Sequence, residues 1–229
     1  MPFKSTDENI TGGKDFPDLY YEEDNLVSLT IDRQKVRVEK GMTILEAARW
    51  MGIKIPTLCY HEGLTPWGGC RLCVVEVIKR GRSKLEASCT YPVAEGIQVK
   101  TNSEKVQKTR RMIVELLISS CPNSRTLQDL ASGMGITEIR FKMEDNDCIL
   151  CGLCVRMCKE QMMSGGIGFI NRGAKREVST PFHKSSEICR GCGACMYICP
   201  VVTLQCRGRR EPGDLCNACI NVCPTDFGF

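Results

Sequence analysis

The chain carries two copies of a cysteine pattern that binds iron-sulfur clusters. The pattern CxxCxxCxxxC covers residues 148–158 and again residues 189–199, where Pro200 follows it. This is the spacing of bacterial ferredoxins with two [4Fe-4S] clusters, in which the fourth cysteine of each run binds the other cluster. By that rule the first cluster is ligated by Cys148, Cys151, Cys154 and Cys199. The second is ligated by Cys189, Cys192, Cys195 and Cys158.

A second cysteine group has the layout of a plant-type [2Fe-2S] site. A predicted loop holds Cys59 and the CxxC pair formed by Cys70 and Cys73, and we expect the distant fourth cysteine, Cys89, on a strand. The first gap, of ten residues, is longer than the gap of four in plant ferredoxins. The predicted [2Fe-2S] ligands are Cys59, Cys70, Cys73 and Cys89.

A third group follows the second ferredoxin run and resembles half a ferredoxin motif whose first cysteine has moved. It predicts a third [4Fe-4S] cluster on Cys206, Cys216, Cys219 and Cys223. Two alternatives stay open for this tail. Cys199 and Cys223 could exchange places between neighbouring clusters, or the tail could hold zinc or no metal. Two or three [4Fe-4S] clusters are therefore expected, with three favoured.

Composition places these cysteines in a reducing compartment. The 17 cysteines are an odd number in a chain of 229 residues, and residues 1–20 lack the apolar core of a secretory signal, so a disulfide framework is disfavoured. We expect a cytoplasmic protein. No apolar run is long enough for a transmembrane segment, and a net charge of +4 is too small to indicate nucleic-acid binding.

Nucleotide-binding motifs are missing from the sequence. It has no GxGxxG after a strand and no GxxxxGK[ST], so we expect no flavin or nicotinamide site, and no catalytic site, in this chain. NADH gives up a hydride, whereas iron-sulfur clusters pass single electrons, so a flavin on another subunit must divide the electron pair.

Apolar periodicity predicts an α+β protein in which elements surround each cysteine group. Residues 1–24 are polar and read as a flexible arm. Apolar and polar residues alternate from Leu26 onwards, which predicts a β-hairpin. Thr43 as a helix cap, with Glu46 three residues later, predicts a short helix. The cysteine loop and further strands then complete a β-grasp [2Fe-2S] domain over residues 25–102.

The rest of the chain divides into a linker, a ferredoxin domain and a tail. Residues 103–143 predict a helical linker with a Ser103 cap and an apolar face that includes Met112 and Leu116. We expect a bacterial-ferredoxin-like [4Fe-4S] domain over residues 144–204 and an extra cluster-binding segment over residues 205–229. Few apolar residues lie outside the cysteine motifs there, so we expect folding to depend on metal.

Several sequence stretches strongly resemble the iron-sulfur subunit of complex-I-type NADH-oxidising modules. They are IPTLCYHEGL, WGGCRLCVVEV, ASCTYPVAEGIQVKT, CILCGLCVRMC, the predicted GFINRG hairpin and EICRGCGACMYICP. Similar subunits occur in NAD-reducing and electron-bifurcating hydrogenases, in formate dehydrogenases and in a benzoyl-CoA reductase complex. The resemblance implies an electron-transfer subunit between a flavin-containing NADH dehydrogenase-type partner and a catalytic or FAD-bifurcating partner. Two departures from the larger relatives, one missing cluster and the added cysteine tail, favour a soluble anaerobic assembly over complex I itself.

One cluster of the larger relatives has no counterpart in this sequence. Those relatives bind a further [4Fe-4S] cluster with a histidine and three cysteines, and Cys121 stands where the histidine would be. Cys121 could be a leftover ligand, but a buried small side chain is the favoured interpretation. Two other functions compete: a catalyst fragment of the iron-only hydrogenase type, and a structural zinc protein, although zinc sites favour two CxxC pairs around a longer loop.

Overall fold

A computed structural model describes residues 25–144, 146–184 and 186–201. The arm expected over residues 1–24 lies outside these ranges. The tail with Cys206, Cys216, Cys219 and Cys223 also lies outside them.

The first part of the chain folds as a mixed five-stranded sheet crossed by a short helix, α1. The strands are β1 (Leu26–Ile31), β2 (Gln34–Glu39), β3 (Val74–Lys79), β4 (Arg82–Ala87) and β5 (Gln98–Lys100). Their order is β2-β1-β5-β3-β4, and only β1 and β5 run parallel. This arrangement is the expected β-grasp.

Helix α1 (Ile44–Trp50) begins at the predicted capping box. The Glu46 N–H donates to the Thr43 hydroxyl at 3.3 Å, and the Thr43 N–H donates to the Glu46 carboxylate at 2.7 Å. Two donors that a helix start leaves without partners are thereby satisfied. The helix packs on the sheet, and the most deeply buried residues of this core include Ile31, Ile44, Leu45, Val75, Ile97 and Val99.

Two helices follow the sheet. Helix α2 (Glu104–Ser120) begins at Ser103 as predicted, and α3 (Arg125–Gly133) packs against it. The buried face of α2 differs from the predicted one, because Met112 and Leu116 are exposed while Arg110, Val114 and Glu115 are buried. The polar residues are buried because each has a hydrogen-bond partner on a neighbouring segment.

The remaining described residues form short elements around the two ferredoxin runs. They are α4 (Leu153–Arg156), a π-helical turn (Met157–Gln161), β6 (Gly168–Ile170), β7 (Glu177–Ser179), α5 (Ala194–Tyr197) and 3-10 turns at Gly173–Lys175 and Pro181–His183. Strands β6 and β7 pair antiparallel, as the GFINRG stretch predicts. His183 lies after β7, at the end of the 3-10 turn. Within the described ranges, no helix is long and apolar enough to cross a membrane.

Candidate iron-sulfur sites

The four predicted [2Fe-2S] ligands lie on irregular segments at one end of the sheet. Cys59 and Cys70 belong to the loop between α1 and β3, and Cys73 directly precedes β3. Cys89 lies in a turn two residues after β4, so its expected place on a strand was wrong. Cys59, Cys73 and Cys89 are buried and Cys70 is partly buried. The Cys70 N–H donates to the Cys59 sulfur at 3.3 Å.

The thiols of this group interact with one another in pairs. A hydrogen bond from the Cys59 thiol lowers the pKa of Cys70 to about 6, and the same contact raises the pKa of Cys59. A hydrogen bond from the Cys89 thiol likewise lowers the pKa of Cys73 to about 6. The pKa of Cys89 is raised by that bond, by burial and by the negative charges of Cys73, Cys59 and Cys70. Two pairs of thiols that share protons, Cys59 with Cys70 and Cys73 with Cys89, are a donor set suited to iron, which replaces those protons on binding.

The first ferredoxin run brings three cysteines around a tight turn. Leu150 and Gly152 take positive φ angles of 53° and 69°, and the Leu150 N–H donates to the Cys148 sulfur at 3.3 Å. Burial raises the pKa of Cys151 to about 11, and the charges of Cys199 and Cys148 raise it further. Ile198, next to Cys199, packs against the buried cluster that contains Cys151, so the distant Cys199 lies close to this run.

Cys154 shows the same grouping. Its pKa is raised to about 12, first by burial and then by the charges of Cys151, Cys148, Cys199 and Cys195. The four cysteines assigned from sequence to the first [4Fe-4S] cluster are thus electrostatic neighbours. The neighbouring Cys195 is assigned to the second cluster, so the two cysteine groups adjoin.

The second run is held against the segment that follows Cys158. Gly191 and Gly193 take positive φ angles of 62° and 67° in its turns. The Ser164 N–H donates to the Cys158 carbonyl at 3.0 Å, and the Ser164 hydroxyl donates to the Ile188 carbonyl. Helix α5, which carries Cys195, contacts the π-helical turn that carries Cys158. The segment of Cys158 is therefore close to the run that begins at Cys189.

The [2Fe-2S] loop rests directly on the first ferredoxin turn. Cys59, Leu64, Cys151 and Leu153 form one buried cluster. The Arg156 guanidinium donates to the Cys59 carbonyl at 2.5 Å and also to the Thr65 carbonyl.

Three further contacts hold the same face. The Thr65 N–H donates to the Glu160 carboxylate at 2.8 Å, and the Gln161 amide donates to the Gly63 carbonyl. The Trp67 and Phe169 rings stack with their centroids 5.4 Å apart. The two cysteine groups are thus joined by a specific interface.

Several side chains near the cysteines have positions that sequence reasoning left open or missed. Cys121 is buried at the end of α2, and burial raises its pKa to about 11, as expected of a small buried side chain. His61 is exposed, and its Nδ1 accepts the Gly63 N–H at 3.1 Å. Arg110 lies beside Cys73 and was missed, since a charged residue inside a helix normally indicates the solvent face.

A β-grasp sheet with four grouped cysteines, followed by two CxxCxxC turns, defines an iron-sulfur protein of the ferredoxin type. Residues 24–104 match the family described as a 2Fe-2S iron-sulfur cluster binding domain. Residues 147–203 match a 4Fe-4S dicluster domain, and residues 214–226 match a 4Fe-4S binding domain.

Similar curated proteins and a similar solved structure indicate which kind of iron-sulfur protein the chain is related to. The chain is 33% identical over 87% of its length to a subunit of an NADH-quinone oxidoreductase from Rhizobium meliloti, strain 1021. It is 35% identical over 79% of its length to a subunit of an NADP-reducing hydrogenase from Solidesulfovibrio fructosivorans. A crystal structure of NAD+-reducing [NiFe]-hydrogenase in the H2-reduced state contains a chain that is 32% identical, with a TM-score of 0.59 over 67% of this chain and 74% of that one.

The chain belongs to the family of iron-sulfur electron-transfer subunits found in complex-I-type modules, as its motifs predict. It spans 26% and 36% of the length of the two curated relatives.

Proposed function

We propose that this chain is the electron-carrying subunit of a cytoplasmic, multi-subunit oxidoreductase in an anaerobic metabolism. One partner would be a flavin subunit that reacts with NAD(H), and the other a catalytic or FAD-bifurcating subunit. The observation that carries the proposal is the direct contact between the Cys59 loop and the Cys151 turn. Such a contact joins two one-electron sites inside one chain without an intervening partner.

The proposed ligand sets follow the cysteine groups. One [2Fe-2S] cluster is held by Cys59, Cys70, Cys73 and Cys89. The first [4Fe-4S] cluster is held by Cys148, Cys151, Cys154 and Cys199, and the second by Cys189, Cys192, Cys195 and Cys158. The match of residues 214–226 to a 4Fe-4S binding domain supports a third, on Cys206, Cys216, Cys219 and Cys223.

The chain's own residues hold, orient and shield these sites. When bound, iron-sulfur clusters supply reversible one-electron chemistry over a wide range of potentials. The N–H groups of Cys70 and Leu150 donate to ligand sulfurs, which stabilises negative charge there. Burial of Cys59, Cys73 and Cys89 keeps water away from the [2Fe-2S] site. Arg156 fixes the spacing between the first two cysteine groups through two backbone carbonyls.

The names of relatives support an NAD-linked assembly. They include a subunit of an NADH-quinone oxidoreductase and a subunit of an NADP-reducing hydrogenase. This sequence lacks the common dinucleotide-binding motif, so the nucleotide and flavin sites are assigned to a partner.

Iron and sulfide counting on the anaerobically purified chain, with EPR, tests the proposal. We expect about 14 irons for one [2Fe-2S] and three [4Fe-4S] clusters, and about ten irons in a variant with Cys216→Ser and Cys219→Ser. The matched control, Cys121→Ser, should keep the full count. NADH should reduce the clusters only after a flavin subunit is added. Zinc without sulfide, or reduction of the isolated chain by NADH, would contradict the proposal.

A further inference from the structure

A buried arginine on α2 lies beside the [2Fe-2S] cysteine group. Arg110 is 8% exposed, and its Nη2 donates to the Val74 carbonyl at 2.7 Å. Val74 directly follows Cys73, so the guanidinium binds the backbone of the residue next to a proposed ligand. The Nε of Arg110 is buried and has no hydrogen-bond partner. Helix α2 thus delivers a positive charge into the core next to the cysteines.

The charge of Arg110 is not neutralised by an ion pair among the residues that the structure describes. Burial lowers the pKa of Arg110, and the negative charge of Cys73 opposes that effect more strongly than Asp32 does. The Asp32 carboxylate already accepts hydrogen bonds from the Thr101 N–H and hydroxyl. Arginine nevertheless stays protonated in proteins, so the site keeps a full positive charge.

We propose that Arg110 sets the reduction potential of the [2Fe-2S] site. Uptake of one electron makes the site more negative by one charge, and the nearby guanidinium stabilises that added charge. No proton moves, because Arg110 is protonated in both states. The effect is strong because water, which would screen the interaction, is excluded from this position. The inference rests on the proposed ligation of the [2Fe-2S] cluster by Cys73.

The adjacent residue provides a matched control. Arg111 is on the same helix and carries the same charge, but it is exposed, and its Nη2 donates to the Gly135 carbonyl at 3.1 Å. Because solvent screens its charge, Arg111 is expected to have a negligible effect on the site. Comparison of the two residues therefore separates a buried local charge from the net charge of the chain.

The test is an EPR-monitored redox titration of the [2Fe-2S] signal in the full chain. Arg110→Gln should lower the equilibrium constant for reduction by about tenfold or more, which corresponds to about 59 mV per factor of ten. Arg110→Lys, which keeps the charge, should retain most of the wild-type value, and Arg111→Gln should match wild type. The difference between wild type and Arg110→Gln should persist at high salt, where exposed charges are screened.

Each outcome decides the inference. An unshifted potential in Arg110→Gln, equal shifts for the Lys and Gln variants, or a matching shift in Arg111→Gln would overturn it. If Arg110→Gln fails to retain the cluster, the same titration of Arg110→Lys decides: a tenfold fall there overturns the inference, and a retained potential supports it. Absence of any [2Fe-2S] signal from wild-type protein would instead refute the proposed function.

Discussion

The interface between the [2Fe-2S] loop and the first ferredoxin turn depends on Arg156. Its guanidinium donates to the carbonyls of Cys59 and Thr65, which lie 97 and 91 residues away in sequence. Arg156→Gln shortens the side chain and removes its charge, so neither carbonyl keeps its donor. We expect the loop to open from the turn more often while each cysteine group stays folded.

The size of the effect follows from the two hydrogen bonds. A hydrogen bond from a charged group contributes about 1.5–3 kcal/mol, and the partial exposure of Arg156 favours the lower value. Loss of both bonds then costs about 3 kcal/mol, which raises the open population by about 100-fold. The Trp67–Phe169 stacking and the Gln161 contact remain, so the interface weakens without being lost.

Amide hydrogen exchange of the cluster-loaded protein measures this opening. The Thr65 N–H, which donates to Glu160, should exchange about 100-fold faster in Arg156→Gln, because exchange reports the free energy of local opening. Lys159→Gln is the control, since Lys159 is exposed on the same segment and should leave the exchange unchanged. Unchanged exchange of Thr65 in Arg156→Gln, with iron content intact, would refute the reasoning.

Two further substitutions test the scaffold. Glu115 is buried and accepts three hydrogen bonds from Arg140. These bonds hold the pKa of Glu115 at about 2. Glu115→Gln should therefore lower the melting temperature of the protein. The wild-type advantage should be full above pH about 5, where Glu115 is ionised in the unfolded chain as well, and should vanish as the pH falls towards 2. Equal acid titrations of both proteins by circular dichroism would contradict this. Gly152→Ala should destabilise the fold more than Gly173→Ala. Both glycines have a positive φ, which costs alanine about 1–2 kcal/mol. Only at Gly152 would the added Cβ also lie 3.0 Å from the Phe169 ring. Equal melting temperatures of these two variants would show that the contact is harmless.

Local signals in the sequence predict the elements that hold the cysteines. The Thr43 and Glu46 pair marks the start of α1, and Ser103 marks the start of α2, because capping depends on residues only three positions apart. The spacing of the first ferredoxin run likewise predicts a tight turn, since three cysteines two residues apart can bind one cluster only if the chain turns around it. The positive φ of Gly152 is part of that turn.

The polar residues that join the elements could not be predicted in the same way. Arg110 and Glu115 occupy the buried face of α2, although charged residues normally indicate the solvent side of a helix. Their partners, Val74 and Arg140, are 36 and 25 residues away, so no local pattern reveals them. The same reason hides the role of Arg156. The apolar periodicity of a sequence predicts burial from residue type alone. The burial of a charged residue depends instead on a hydrogen-bond partner from another part of the fold.

The backbone of the cysteine loops is held by groups that leave the sulfurs available. The Cys59 carbonyl accepts from Arg156, and the Cys73 carbonyl accepts from the N–H and the hydroxyl of Ser88 at 3.2 and 2.8 Å. These bonds satisfy buried carbonyls and fix the backbone from which each thiol projects. Less conformational freedom then remains to be lost when iron binds, so more of the metal-binding free energy stabilises the fold. The polar contacts that apolar periodicity does not predict are therefore the ones that hold the cysteine loops in a conformation ready to bind clusters.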